Sequence, residues 1–166
     1  WTENGYWWTL MSLVFWEIIF AAVEGAAVDV VEGRKIVPKP RDPRFEKIFL
    51  KYIKSYGAPA DFMTPEFYDR RKDLIDDHLR ELRNRNLERK IISTYSDYHG
   101  TLCKTVEDWG RYPSQVLLIA VNKLDNEKLL GILERLVSNF KDNRFGLPDL
   151  MGFSPKDCYF VEVVDD

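Results

Sequence analysis

The segment LMSLVFWEIIFAAVEGAAV, residues 10–28, is apolar on nearly every face of the helix its spacing predicts, so the folded chain must enclose it on all sides. A membrane is one such enclosure and a protein core is the other. Glu17 and Glu24 interrupt the run, no basic anchors flank it, and it falls short of the ~20 clean apolar residues that a spanning helix needs. The leading WTENGYWW lacks the positively charged start of a signal peptide. The reading is therefore a buried core helix over residues 6–23, closed by Gly25, with no membrane partner. Trp7, Trp8 and Trp16 belong to that core rather than to a base-stacking surface. A chain of 166 residues is long enough for one ordinary domain around such a helix.

After this helix the charge changes. From Gly33 to Lys54 there are eight lysines and arginines against two acids, Asp42 and Glu46. Pro38, Pro40 and Pro43 exclude a helix from the first part, so the stretch reads as a basic loop leading into a helix near Phe45–Tyr56. The turn GAPADFMTPE then opens a longer helix over Pro65–Asn84, with Thr64 as N-cap, Pro65 at the first helical position and Glu66 at the positive helix end. Phe67, Leu74, Ile75, Leu79 and Leu82 recur at helical spacing there, and Arg70, Arg71, Lys72, Arg80, Arg83 and Arg85 stand among acids. By itself that charge pattern describes a solvated face.

Further helices are predicted over 87–97, 101–108, 113–121 and 126–140. A β signal appears only in the tail, where Leu147–Phe153 and Tyr159–Val164 flank the turn sequence SPKD and predict a hairpin. The formal net charge of -3 excludes a uniformly basic protein, so a nucleic-acid partner would need a local patch. Cys103 and Cys158 are too few and too far apart for a zinc cluster or a disulfide framework, and read as reduced thiols of an intracellular protein. His78 and His99 have no spaced partner and receive no role.

Asp149 lies five residues before the SPKD turn and Glu162 five after it, so antiparallel pairing sets the two carboxylates close together. Converging carboxylates can hold a divalent cation, which activates water and neutralises a phosphate. Two acids in a hairpin are also ordinary surface chemistry, and aspartate after proline is common in turns.

The order Pro148-Asp149 followed by Glu162-Val163 resembles the PD-(D/E)XK nuclease core. With their flanks, GLPDL at 146–150 and FVEV at 160–163 look like the VRR-type (virus-type replication-repair) nuclease domain, and specifically like the Fanconi-associated nuclease family. The likeness extends over most of the chain: GYWWTLMSLVFWEIIF, APADFMTPEFYDRR and NRFGLPDL occur in family order. The resemblance implies an α/β fold with a restriction-endonuclease-like PD-(D/E)XK core, its hairpin carrying the acids, and a large helical insertion at about 60–140. Residues 1–166 then form a single VRR-type domain and read as a fragment of a longer chain.

It also implies that Glu3, ahead of the first helix, joins Asp149 and Glu162 as catalytic metal ligands, with the Val163 carbonyl as a fourth oxygen, around Mg²⁺ or Mn²⁺. The implied activity is structure-selective, metal-dependent phosphodiester hydrolysis on branched or flapped DNA in repair, endonucleolytic or exonucleolytic, including interstrand crosslink repair. The protein would be intracellular, in the nucleus of a eukaryote or the cytoplasm of a bacterium. An insertion of this size goes with a monomer in that family. Arg34, Lys35, Lys39 and Arg41, within the basic run that ends at Lys54, and the pair Arg70 and Arg71 are the expected phosphate contacts, which position DNA without reading its sequence.

Two departures set the alternatives. The family's catalytic lysine falls at Val164, so its EVK is here EVV. Lys156 is six strand residues from Glu162, roughly 20 Å, which leaves Lys141 and Arg144 as surrogates. The chain also stops at Asp166, where the family's sheet continues. A degenerate DNA-binding or scaffold domain is the first alternative, and a helical partner-binding module the second.

Overall fold

The computed structural model describes residues 4–143, 150–154 and 157–161. In chain order the elements are α1 (Asn4–Val14), α2 (Trp16–Ile19), β1 (Asp29–Val31), β2 (Arg34–Ile36), α3 (Phe45–Tyr56), α4 (Pro65–Arg83), α5 (Leu87–Tyr98), α6 (Ser114–Lys123), α7 (Asn126–Ser138), α8 (Phe140–Asn143), β3 (Leu150–Phe153) and β4 (Cys158–Val161). Among the described residues the strands make two separate antiparallel pairs, β1–β2 and β3–β4, so the architecture is mixed, helical with small strands.

The apolar segment is enclosed, as its composition demands, but it is not one helix. At Phe15 the backbone leaves helical geometry (φ -105, ψ 20), and the Ile18 N–H turns back to the Phe15 carbonyl. The Val14 carbonyl is instead taken by His78, whose Nε2 donates to it at 2.7 Å. The Ile18 carbonyl in α2 accepts from Arg71 Nε at 3.0 Å. Helix ends leave their last carbonyls without intrahelical partners, and cationic or ring N–H donors are suited to them. Here α4 supplies both donors, from 64 and 53 residues away. The expectation of one helix over 6–23 fails for that reason: apolar periodicity encodes burial, whereas the break depends on donors distant in sequence. Gly25 lies in the turn beyond α2, with φ +84, and its missing side chain admits Arg70, since a Cβ there would collide with the Arg70 guanidinium.

Around α1 the core closes on α5 and α7, while α4 packs against α2 and α7, and α6 against α5 and α7. Trp7 and Trp16 are buried. Trp8 is half-buried and stacked on Phe140 at 5.8 Å, and Trp16 is stacked on Tyr98 at 4.6 Å. Helix α4 starts where the sequence places it, with extended Thr64 ahead of Pro65. Helix α5 is capped by Asn86, whose side chain accepts from the Arg89 N–H, and α7 by Asp125, which accepts from Glu127 and Lys128 N–H.

The helix expected over 101–108 is absent. That segment is a string of turns pinned by outside bonds: the Lys104 N–H donates to the Gly57 carbonyl at 2.9 Å, and Trp109 Nε1 donates to the Thr101 carbonyl at 2.8 Å. Gly57 permits the approach, because a Cβ there would meet the Cys103 nitrogen at 3.2 Å.

The expected basic loop also contains structure of its own. Strands β1 and β2 pair as Asp29↔Ile36, Val30↔Lys35 and Val31↔Arg34 around a two-residue turn in which Glu32 and Gly33 both have positive φ, 51° and 75°. This is the geometry that suits a tight hairpin. The prolines that argue for a loop begin only at Pro38, after the second strand. Helix α3 then folds back over a small separate core made by Ala26, Ala27, Phe45 and Phe49, flanked by Val23, Ile48, Tyr52 and Ile53.

His78 makes the α1–α2 break sensitive to acid. Burial pushes its pKa below the usual imidazole value, with the Val14 carbonyl partly restoring it. A depressed folded pKa gives stability that is present above the unfolded value of about 6.5 and lost as pH falls below it toward the folded value. Unfolding free energy should therefore decline on acidification from pH 7, and His78→Gln should flatten that part of the profile. Chemical denaturation at pH 7.5, 6.5 and 5.5 measures it, and identical slopes for parent and variant would contradict it.

Candidate functional site

The predicted metal ligands Glu3, Asp149, Glu162 and Val163 lie outside the described residues, as do Arg144, Lys156 and Val164. The structure does describe the frame they adjoin. The tail hairpin pairs Leu150↔Val161, Met151↔Phe160, Gly152↔Tyr159 and Phe153↔Cys158. It therefore turns Met151, Phe153, Cys158 and Phe160 to one face, since opposed residues of an antiparallel pair share a side. That face meets the first two turns of α1: Phe160 stacks on Trp7 at 6.5 Å, Phe153 lies 6.4 Å from Tyr6, and Met151 is 1% exposed.

Tyr6 fixes this end of α1 to α6 as well. Its hydroxyl donates to the Leu117 carbonyl at 3.0 Å and accepts from the Ala120 N–H at 3.1 Å, and burial pushes its pKa well above the usual phenol value. Beside the same end of α1 is a cavity of about 550 Å³ whose lining includes Gly5, Thr9, Lys104, Arg111 and Tyr112. Among the described residues no three His, Cys, Asp or Glu side chains converge as a metal site would require.

The predicted phosphate contacts divide into two kinds. Arg71 is 0% exposed and enclosed by protein, with Nη2 buried and left without a hydrogen-bond partner. Its Nη1 donates to Asp61 Oδ2 at 2.8 Å, its Nε reaches the Ile18 carbonyl, and its guanidinium carbon lies 4.3 Å from the centre of the Phe67 ring. Burial pushes its pKa down while Asp61 pulls it back up. A group so enclosed does not reach a phosphate, so the expectation for Arg71 is corrected: it is a core cation that holds α2, α4 and the turn at Asp61 together. Arg70 shares the same carboxylate oxygen at 3.0 Å and keeps a 38% exposed side chain. Nothing local in the sequence marks Asp61, nine and ten residues ahead, as the partner of both.

The remaining α4 cations are also neutralised, Lys72 by Asp76, Arg80 by Asp77 and Arg83 by Glu127, and Arg85 just beyond the helix pairs with Glu81. The earlier basic run is different. Arg44 pairs with Asp42, and its side-chain and backbone N–H groups hold that carboxyl down at about 2. Arg34, Lys35, Lys39, Arg41, Lys47, Lys51 and Lys54 are all exposed and have no carboxylate partner among the described residues. In a chain of net charge -3, this concentrates uncompensated positive charge on β2, the following loop and α3.

Comparison with known proteins gives the same direction. The family model described as "VRR-NUC domain" matches residues 82–164, half of the chain. The Fanconi-associated nuclease 1 homolog of Pseudomonas aeruginosa is 30% identical over 153 residues, covering 92% of this chain and 23% of that protein. The homolog from Oryza sativa subsp. japonica is 29% identical over 150 residues, covering 90% of this chain and 13% of its own. A crystal structure of paFAN1 bound to DNA with a one-nucleotide 5′ flap and a gap superposes with a TM-score of 0.71 at 29% identity, covering 98% of this chain and 26% of that one. The chain thus spans about an eighth to a quarter of the length of these relatives. With half its residues matched by the family model, the chain belongs to the VRR-NUC domain family.

Proposed function

We propose that the chain is a divalent-metal-dependent DNA nuclease domain with a PD-(D/E)XK core, hydrolysing phosphodiesters of flapped or branched DNA in repair inside the cell. One observation supports this reading, the packing of Trp7 on Phe160 across from Met151, which joins the chain segments next to the proposed acids in sequence. Glu3 is four residues before Trp7, Glu162 two after Phe160, and Asp149 two before Met151. Membership of the VRR-NUC family supports the activity, and the flap DNA in the crystallised relatives supports the substrate.

Three carboxylates and the Val163 carbonyl would offer an all-oxygen donor set, which suits a hard cation such as Mg²⁺ or Mn²⁺. That cation supplies charge stabilisation at the phosphate and a bound water of lowered pKa. Glu3, Asp149 and Glu162 would hold it in place, and Arg34, Lys35, Lys39 and Arg41, together with the partly exposed Arg70, contact the DNA backbone. The helical segment of about 60–140 is the insertion into the core, in a protein that acts as a monomer.

Val164 favours a second reading, a domain that binds DNA without cutting it, because valine supplies no charge where the family has lysine. Both readings are separated by cleavage assays, but the site itself is tested more directly by Mn²⁺ binding. Electron paramagnetic resonance titration should show stoichiometric Mn²⁺ uptake by the parent and a drop of about tenfold or more in affinity for Glu162→Gln. Equal affinities for parent and variant would remove Glu162 from the site.

A further inference from the structure

Taking DNA as the partner, we propose that the β1–β2 hairpin reads the branch itself: its aliphatic side chains contact unstacked bases while neighbouring cations hold the flanking phosphates. The hairpin leaves large apolar groups in water, with Val30 63%, Val31 44%, Ile36 42% and Val37 52% exposed. A lone two-stranded hairpin is at best marginally stable in water, and its exposed aliphatics call for an occupant. Register identifies which one. Val30 stands opposite Lys35 on one face of the hairpin, and Val31 stands opposite Arg34 on the other, where Ile36 faces Asp29, so each valine has a cation as its cross-strand neighbour.

An apolar protein partner would leave those cations desolvated and unpaired, which is costly. A nucleic-acid strand presents both complements at once, base faces for the aliphatics and phosphates for the cations. The charge continues behind the hairpin. Lys39 and Arg41 follow in the loop, and Lys47, Lys51 and Lys54 line the exposed side of α3 at spacings of four and three residues. That stripe extends about 10 Å along the helix axis. Because α3 and the loop close their own small core with Ala26 and Ala27, the charged arm is built separately from the main core that contains α1 and the tail hairpin. Duplex DNA buries its base faces in the stack and a flap or junction exposes them, so the hairpin distinguishes the two where phosphate contacts cannot.

The test is fluorescence anisotropy with the whole chain, comparing a labelled 5′-flap DNA with a continuous duplex of equal length, in EDTA so that no cleavage intervenes. One variant carries Val30→Thr, Val31→Thr, Ile36→Thr and Val37→Thr, which keeps β-branching and removes apolar surface. It should lose flap preference by about tenfold while duplex affinity stays within about twofold. A second variant, Arg34→Gln, Lys35→Gln, Lys39→Gln and Arg41→Gln, should weaken both DNAs and lower the slope of log affinity against log salt by about 3–4. Unchanged flap preference in the threonine variant, with its circular dichroism and melting intact, overturns the proposal and assigns the hairpin aliphatics to a protein partner. If the parent binds neither DNA, the DNA reading falls with it; a parent that binds but never cuts leaves this proposal standing.

Discussion

Replacing Asp61 with alanine is expected to cost about 3–5 kcal/mol of unfolding free energy. Asp61 is 5% exposed and Arg71 is 0% exposed, so no solvent is at hand to take over when the carboxylate is removed. One oxygen of Asp61 receives both Arg70 and Arg71, and Arg71 in turn holds the end of α2 through the Ile18 carbonyl. Removing the carboxylate leaves a buried guanidinium without its counter-charge and Arg70 facing it with like charge. Asp61→Ala combined with Arg71→Met should recover part of the loss, since the uncompensated charge is then gone. Urea denaturation of the two variants and the parent measures this. A loss below about 1 kcal/mol for Asp61→Ala would mean that the pair contributes no more than an exposed one.

This cluster also shows what the sequence conceals. In the α4 stretch DRRKDLIDD, Arg71 and Lys72 are adjacent and look alike, yet one is buried and the other pairs with Asp76 on the surface. Helical spacing indicates a face, but the acid that claims Arg71 comes from a preceding turn whose position only the tertiary fold sets. The break at Phe15 was hidden for the same reason, since its caps come from α4. The bounds of α3, α4 and α5 were legible because Thr64-Pro65 and the apolar periods are local signals. The tail hairpin was legible from its turn chemistry, and its described pairs agree with the predicted antiparallel arrangement. The β1–β2 hairpin was not, because three-residue strands give too short an alternation to separate from a loop. As for the site, the acids were singled out from motif order, while the Trp7–Phe160 packing that links their sequence positions is a tertiary contact.

The second large effect concerns chemistry. Asp149→Ala should lower DNA cleavage on the order of 10³-fold or more, because losing a ligand removes charge stabilisation of several kcal/mol at the phosphate. The opposite change is expected at position 164. Valine there cannot place a positive charge near the reacting phosphate, and Val164→Lys should raise the rate by about 10²–10³, the range associated with one aimed electrostatic donor. Lys141, which is exposed on α8, is the described cation nearest in sequence to Asp149, and a cleaving parent makes it the first surrogate to mutate.

Cleavage of end-labelled 5′-flap DNA with Mg²⁺ or Mn²⁺, by the parent chain, Asp149→Ala and Val164→Lys side by side, tests the central claim most directly. The account predicts metal-dependent cutting that rises in Val164→Lys and disappears in Asp149→Ala. Cutting by Asp149→Ala at the parent's rate, or silence from all three proteins with the flap bound, would contradict it.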